Sequence, residues 1–260
     1  MPELLEQLKE LNPWIMAVGL NTLLLVVAGV APKKLLTTAG LVHAWVLGVL
    51  IWGTLGWPGY VVVMFYFLVG SSVTKLGMAQ KEAEGIAEKR SGTRGPENVW
   101  GSAFAGAVCA VGVGLVKAGW VESVIPVSLL LLGYAASFAT KLADTTASEV
   151  GKAYGKRTYL ITTLQPVPRG TEGAVSLEGT LAGIGGAIAI AIVAWGVGLI
   201  DIWGIVWCAI AAFIATNIES LIGATWQTKY TWLTNELVNV INTLIGSITA
   251  IILAYIGMLA

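Results

Sequence analysis

Hydrophobic positions in this chain fall in long unbroken runs separated by short polar segments. They show neither the alternation of a half-buried strand nor the single stripe of a soluble amphipathic helix. A bilayer's hydrocarbon core, about 30 Å thick, takes roughly 20 apolar residues per helix. Eight runs approach that length: Pro13–Ala31, Leu35–Trp57, Gly59–Leu76, Asn98–Lys117, Val121–Ala143, Gly173–Ile200, Ile202–Asn217 and Glu236–Met258. The pattern predicts an all-α integral membrane protein, a bundle of about eight transmembrane helices forming one polytopic domain over residues 1–260. Trp57, Pro58 and Gly59 read as a tight turn between two spans. The sixth run is long and holds Glu178 near its start. No internal repeat is evident.

Composition agrees. The chain is 56% hydrophobic and 12% charged, against roughly 25% charged residues in ordinary soluble domains, and its mean hydropathy is +0.79. That much hydrocarbon cannot be hidden in one water-soluble core, so lipid is the solvent. Net charge is zero, and nothing points to nucleic acid. Cys109 and Cys208 lie inside apolar runs and read as packing residues, with no disulfide or metal spacing. The opening MPELLEQLKELN is too acidic for a cleavable leader. Its Leu4, Leu8 and Leu11 share a helical face, as in a short interfacial helix.

Charge sets the orientation. Thirteen of the fifteen Lys and Arg residues fall in or beside the odd-numbered loops, leaving Lys9 and Lys117 on the other side. The positive-inside rule makes those loops cytoplasmic and puts both termini outside. The cytoplasmic segments span about 77–97, 144–172 and 218–235.

Candidate chemistry collects there. Continued helix past Ala143 would put Asp144, Ser148 and Gly151 on one face, with Thr145 and Glu149 beside them. Two carboxylates and two hydroxyls suit a hard cation such as Mg²⁺, which binds through one or two carboxylates plus phosphate oxygens; the same spacing fits a solvated helix end. Gly151, Lys152, Gly155, Lys156 and Arg157, then Arg169, Gly170 and Gly173, alternate glycines with cations, as a phosphate cradle or a basic loop with turn glycines would. The run GKAYGKR does not fit a Walker A loop. Glu178 and Glu219, at the ends of apolar runs, are ionisable groups near membrane depth and hence functional candidates, or interfacial ones. Asn235, Asn239 and Asn242 form an amide stripe beside Glu236, able to orient a ligand or to join helices. His43, the only histidine, reads as a packing residue. Gly179 and Gly183 read as a close-packing pair.

Four stretches together resemble one membrane-protein family: LADTTASEVG (Leu142–Gly151), LITT through PVPRGTEGAVS (Leu160–Ser176), GTLAG (Gly179–Gly183) and TNELVNVINT (Thr234–Thr243). The family includes the plant and cyanobacterial phytyl-phosphate kinases of the vitamin E pathway, and RGPENVWGSA (Arg94–Ala103) looks most like the photosynthetic branch. The spacing of Asp144, Ala147, Gly151 and Gly155, followed by EGTLAG from Glu178, more loosely resembles the CTP site of dolichol and phytol kinases; Ser176 stands where those often carry Lys or Ser, and the intervening loop differs. The resemblance implies phosphoryl transfer from CTP or another nucleoside triphosphate to an isoprenyl monophosphate. The product would be phytyl diphosphate for tocopherol or phylloquinone synthesis, made on the cytoplasmic face of a plasma or thylakoid membrane. On that reading Asp144 and Glu149 hold Mg²⁺, while Arg169, Lys152, Lys156 and Arg157 hold the triphosphate. Glu178 and the asparagines position the nucleotide or a second metal. Ser148, Gly151, Gly155, Gly173, Ser176, Glu219 and Glu236 complete the lining, and the lipid tail lies between helices. The competing classes are a transporter or flippase of a phosphorylated solute or lipid, against which the one-sided polar residues weigh, and a structural assembly factor.

Overall fold

The computed structural model describes residues 12–122, 124–227 and 229–259; the interfacial helix read from Leu4, Leu8 and Leu11 lies outside them. Seven helices among the described residues are long and apolar enough to cross a membrane. They are α1 (Pro13–Val30), α2 (Thr38–Thr74), α4 (Pro96–Lys117), α5 (Val127–Tyr154), α6 (Leu177–Gly196), α7 (Ile202–Ile222) and α8 (Asn235–Leu259). A π-turn over Gly223–Gln227 extends α7. A short helix α3 (Met78–Ala83) sits in the polar segment after α2. An antiparallel ribbon pairs β1 (Thr158–Leu160) with β2 (Ala174–Ser176), Thr158 facing Ser176.

The helix α2 is two spans. Straight, its 37 residues would reach about 55 Å, nearly twice a bilayer core. Gly56 breaks it with φ 69°, a left-handed conformation that glycine tolerates, and Pro58 removes a donor from the next turn. A Cβ on Gly40 would lie 2.6 Å from the Arg94 carbonyl oxygen, and one on Gly70 would lie 3.1 Å from the same residue's guanidinium. Thirty residues of straight helix span about 45 Å, so the chain must reverse at the break. Across it, the rings of Trp52 and Tyr60 meet at 5.1 Å. The two arms, 38–55 and 57–74, restore the eight crossings that the apolar runs predict.

Centre and rim differ sharply. In α5, 72% of the apolar stretch is buried, against 11% in α1. Packed around α5 are α2, α4, α6, α7 and α8. The approach of α6 is closest: a Cβ on Gly179 would come within 2.5 Å of the Ala147 carbonyl oxygen, and one on Gly183 within 3.0 Å of that of Ala143. Both positions therefore act as the close-packing pair they resemble. On the rim, α1 is tied to α2 by one buried polar group, Asn21, which accepts from Tyr60 Oη at 2.9 Å. His43 Nδ1 accepts from Trp100 Nε1 at 2.9 Å, a packing role. Cys109 and Cys208 are buried and unpaired.

Element boundaries differ from the apolar runs where polar residues are helical. The helix α5 runs to Tyr154, so residues 144–154 belong to a helix and not to a loop. Similarly, α7 continues past Asn217 to Ile222. The sixth run shortens, because Ala174–Ser176 form β2 and the helix starts at Leu177. Ser176 caps it, accepting from the Gly179 N–H at 3.1 Å.

Candidate functional site

Six helix ends meet at one end of the bundle: the C-termini of α2, α5 and α7, and the N-termini of α4, α6 and α8. Between them, bordered by residues 85–94 and 170–176, lies a cavity of about 630 Å³. Its lining includes Asp144, Ser148, Glu149, Gly151, Lys152, Gly173, Ser176, Glu219, Asn235, Glu236 and Asn239. Eleven of the seventeen site residues read from the sequence therefore share one chamber, drawn from four segments of chain.

The helix α5 supplies the most. Its face spacing holds, so Asp144, Ser148 and Gly151 all reach the lining. Asp144 Oδ2 pairs with Lys141 Nζ at 2.5 Å, and the same ammonium donates to Asn239 Oδ1 at 2.8 Å, joining α5 to α8. Glu149 is differently placed. One oxygen pairs with Lys81 of α3, and the other lies 3.7 Å from Lys152. Lys81 is 1% exposed, Glu149 3%, and the lysine also donates to the Thr74 carbonyl at 2.8 Å. Such a pair is stable only while complete, since either member alone would be a buried charge without a partner.

The glycines act through packing as well as exposure. Ser176 Oγ sits against Gly151, Gly155 and Gly179, at 3.3, 3.2 and 3.0 Å from where their Cβ atoms would be. Gly173, at φ 75°, lies against the end of α7 and the π-turn, where a Cβ would approach the Ser220 carbonyl oxygen to 2.6 Å and the Ala224 nitrogen to 2.7 Å. These contacts seat the ribbon and the start of α6 between α5 and α7.

Six of the seventeen residues do not line the chamber. Gly155 is buried behind it, and Lys156 and Arg157 are exposed at the turn after α5. Arg169 pairs with Glu84 at 2.7 Å and donates to the Ala153 carbonyl at 3.3 Å, strapping the loop to α3 and α5. Glu178 is half-buried in the first turn of α6. Asn242 is fully buried beyond Asn239, and its amide has no hydrogen-bond partner among the described residues. The amide stripe is thus divided between the lining and the helix interior.

A divalent cation suits part of this arrangement. Among the described residues no three His, Cys, Asp or Glu side chains form a metal cage, but Mg²⁺ needs only one or two carboxylates beside phosphate oxygens. Glu149 fits poorly, with both its oxygens engaged by ammonium groups. Asp144 fits better, because only one of its oxygens is paired with Lys141 and the residue lines the cavity. Glu219 enters the lining from α7 with no ion pair among the described residues. Asp144 and Glu219 are thus less engaged by ammonium groups than Glu149, and both line the chamber.

Sequence reading misses four lining or supporting groups: Lys141, Lys81, Arg94 and Tyr66. The three cations are counted there only as markers of orientation. A signal existed for Lys141, a lysine inside an apolar run, three residues before an aspartate.

A bundle of seven helices long enough to span a membrane among the described residues, one of them bent into two arms, with a polar chamber at one end, defines the class: a polytopic integral membrane protein. Residues 21–247 match the integral membrane protein family DUF92, and the chain belongs to that family. The uncharacterised membrane protein sll0875 of Synechocystis sp. is 63% identical over 239 residues, covering 92% of this chain and 90% of that one. The chloroplastic protein VTE6 of Arabidopsis thaliana is 44% identical over 256 residues, 97% of this chain and 76% of the relative. The uncharacterised membrane protein MJ0933 of Methanocaldococcus jannaschii is 30% identical over 222 residues, covering 85% and 87%. No solved structure matches.

Proposed function

We propose that the chain is an isoprenyl-monophosphate kinase. It transfers the terminal phosphoryl group of CTP or another nucleoside triphosphate to phytyl phosphate, yielding phytyl diphosphate for tocopherol or phylloquinone synthesis. The observation that carries this reading is the chamber, in which carboxylates, ammonium groups and amides converge at one end of a membrane bundle. The likeness to VTE6 supports a role in the vitamin E pathway, and the sequence resemblance to phytyl-phosphate kinases supports the substrate class.

The reaction suits these groups. An anionic oxygen of the lipid phosphate attacks the terminal phosphorus of the triphosphate. A new P–O bond forms as the bond to the bridging oxygen breaks, and a nucleoside diphosphate leaves. A phosphate monoester has a second pKa near 6 and is largely dianionic at pH 7, so no strong general base is needed. Charge stabilisation and alignment carry the rate. Mg²⁺ bound to Asp144 and Glu219 would neutralise phosphate charge. Lys141 and Lys152 would hold phosphate oxygens, and Asn235, Glu236 and Asn239 would orient the nucleotide. A small apolar cleft beside Gly183, Ala187 and Phe213 adjoins the chamber between α6 and α7, on the lipid side from which the apolar tail would approach while the phosphate stays at the interface. The basic loops support a cytoplasmic site in a plasma or thylakoid membrane.

The test is to incubate purified protein in detergent with Mg²⁺, phytyl phosphate and each of four nucleoside triphosphates, measuring phytyl diphosphate by mass spectrometry. One nucleoside diphosphate per lipid diphosphate is expected. A protein that forms no diphosphate in micelles, yet moves a phosphorylated solute or lipid across sealed vesicles, is a transporter or flippase instead. Impermeant labelling should modify a cysteine replacing Pro2 from outside the cell, and not one replacing Arg157.

A further inference from the structure

The cations of the chamber are not equivalent. Lys141 is held by Asp144 and Asn239, and Lys152 stands beside Glu149. Lys89 is exposed on its turn, where water can solvate it. Arg94 also lines the chamber but is half-buried, with no carboxylate paired to it among the described residues.

Its side chain is nonetheless fixed. Arg94 Nη1 donates to Tyr66 Oη at 2.7 Å, and the guanidinium carbon lies 5.3 Å from the Tyr66 ring centroid. The backbone is held on both sides: the Arg94 N–H donates to Leu35 O, and the Thr37 N–H donates to Arg94 O, each at 3.0 Å. Gly70 leaves the room. A Cβ there would lie 3.1 Å from Arg94 Nη2 and 3.9 Å from Leu142 Cδ1, so the guanidinium lies beside the stretch of α5 that carries Lys141 and Asp144.

An arginine has five N–H donors in a planar fork. Here one edge rests on a tyrosine, the backbone is clamped, and the rest of the fork has no acceptor among the described residues. Forks of this kind bind phosphoryl oxygens in pairs, with a geometry lysine cannot copy. We propose that Arg94 is the phosphate clamp of the chamber, binding the oxygens of a phosphoryl group. The group is either the lipid monophosphate or the terminal phosphate of the nucleotide; only that choice rests on the kinase reading. The prefix of α4 thus supplies binding chemistry as well as topological charge.

The probes are inorganic pyrophosphate, phytyl phosphate and CTP, titrated with Mg²⁺ into detergent-solubilised wild type, Arg94→Lys and Arg94→Gln, with the ligand-free melting temperature recorded for each. Pyrophosphate affinity should fall about ten- to hundredfold in Arg94→Gln and less in Arg94→Lys, as loss of a charge-assisted hydrogen bond predicts, with a small change in melting temperature. Arg94→Lys keeps the charge, so it preserves the test should the glutamine variant fold poorly. Weakening confined to phytyl phosphate assigns the clamp to the lipid; weakening confined to CTP assigns it to the nucleotide. Unchanged affinity for all three, or a wild type that binds none, overturns the proposal. A wild type that binds pyrophosphate through Arg94 but makes no diphosphate overturns the kinase reading alone. Full turnover in Arg94→Gln overturns the clamp alone.

Discussion

Asp144 and Glu149 lie five residues apart on α5, and both border the same chamber, yet their surroundings set them different tasks. Asp144 shares a lysine with Asn239, has one oxygen outside that pair and lines the cavity. Glu149 is enclosed between Lys81 and Lys152, and its charge fastens α3 over the end of α5. A carboxylate's place in a sequence motif therefore does not say whether its charge is available to a ligand. The ammonium groups already present decide that.

The largest effect should come from breaking the enclosed pair. Glu149→Leu leaves the buried ammonium of Lys81 without a partner and should lower stability by about 3–5 kcal/mol, read by thermal unfolding in detergent. Adding Lys81→Met should recover most of it, because two apolar side chains leave no buried charge. No recovery would mean that the loss has a cause other than the unpaired Lys81 ammonium. Next, Asp144→Asn should keep the fold but reduce turnover about a hundred- to a thousandfold, some 2.7–4 kcal/mol. Equal turnover losses in folded Glu149 and Asp144 variants would erase the contrast. Glu219→Gln should weaken Mn²⁺ binding about tenfold, or about 1.4 kcal/mol, measured by electron paramagnetic resonance of free Mn²⁺ in a direct titration. The smallest effect belongs to Arg169→Ala. Its pair with Glu84 is partly exposed, so stability should change by at most about 1 kcal/mol, with only a several-fold loss of turnover. A loss as deep as that of Asp144→Asn would place Arg169 at the reacting phosphates.

Hydropathy reveals the spans because each apolar run must satisfy lipid by itself, and the turn at Trp57–Gly59 is legible because Pro and Gly disrupt helices locally. Face spacing likewise brings Asp144, Ser148 and Gly151 to one lining. The partners are what a linear reading loses. Lys81 meets Glu149 across 68 residues and Lys141 meets Asn239 across 98, and no local pattern encodes either pairing. Counting basic residues as orientation signals treats each as a solvated charge, which hides the ones folded inwards: Lys81, Lys141 and Arg94. The ribbon escapes notice because strands of three residues carry too little periodicity to separate from loop.

The bent helix α2 bears on how the protein enters its membrane. From Leu35 to Thr74 the chain holds no Asp, Glu, Lys or Arg. Each charge carried to the bilayer centre would add about 2.5–3.5 kcal/mol on insertion scales; this excursion carries none, and its far turn is only Gly56, Trp57 and Pro58. Both arms can thus enter from the same side as one preformed hairpin, with no hydrophilic loop to drag through the lipid. The basic residues at its two feet, Lys33 and Lys34 before it and Lys75 after it, then stay behind as anchors. Biogenesis of the second and third crossings becomes a single partitioning step, completed before α4 is needed to secure them.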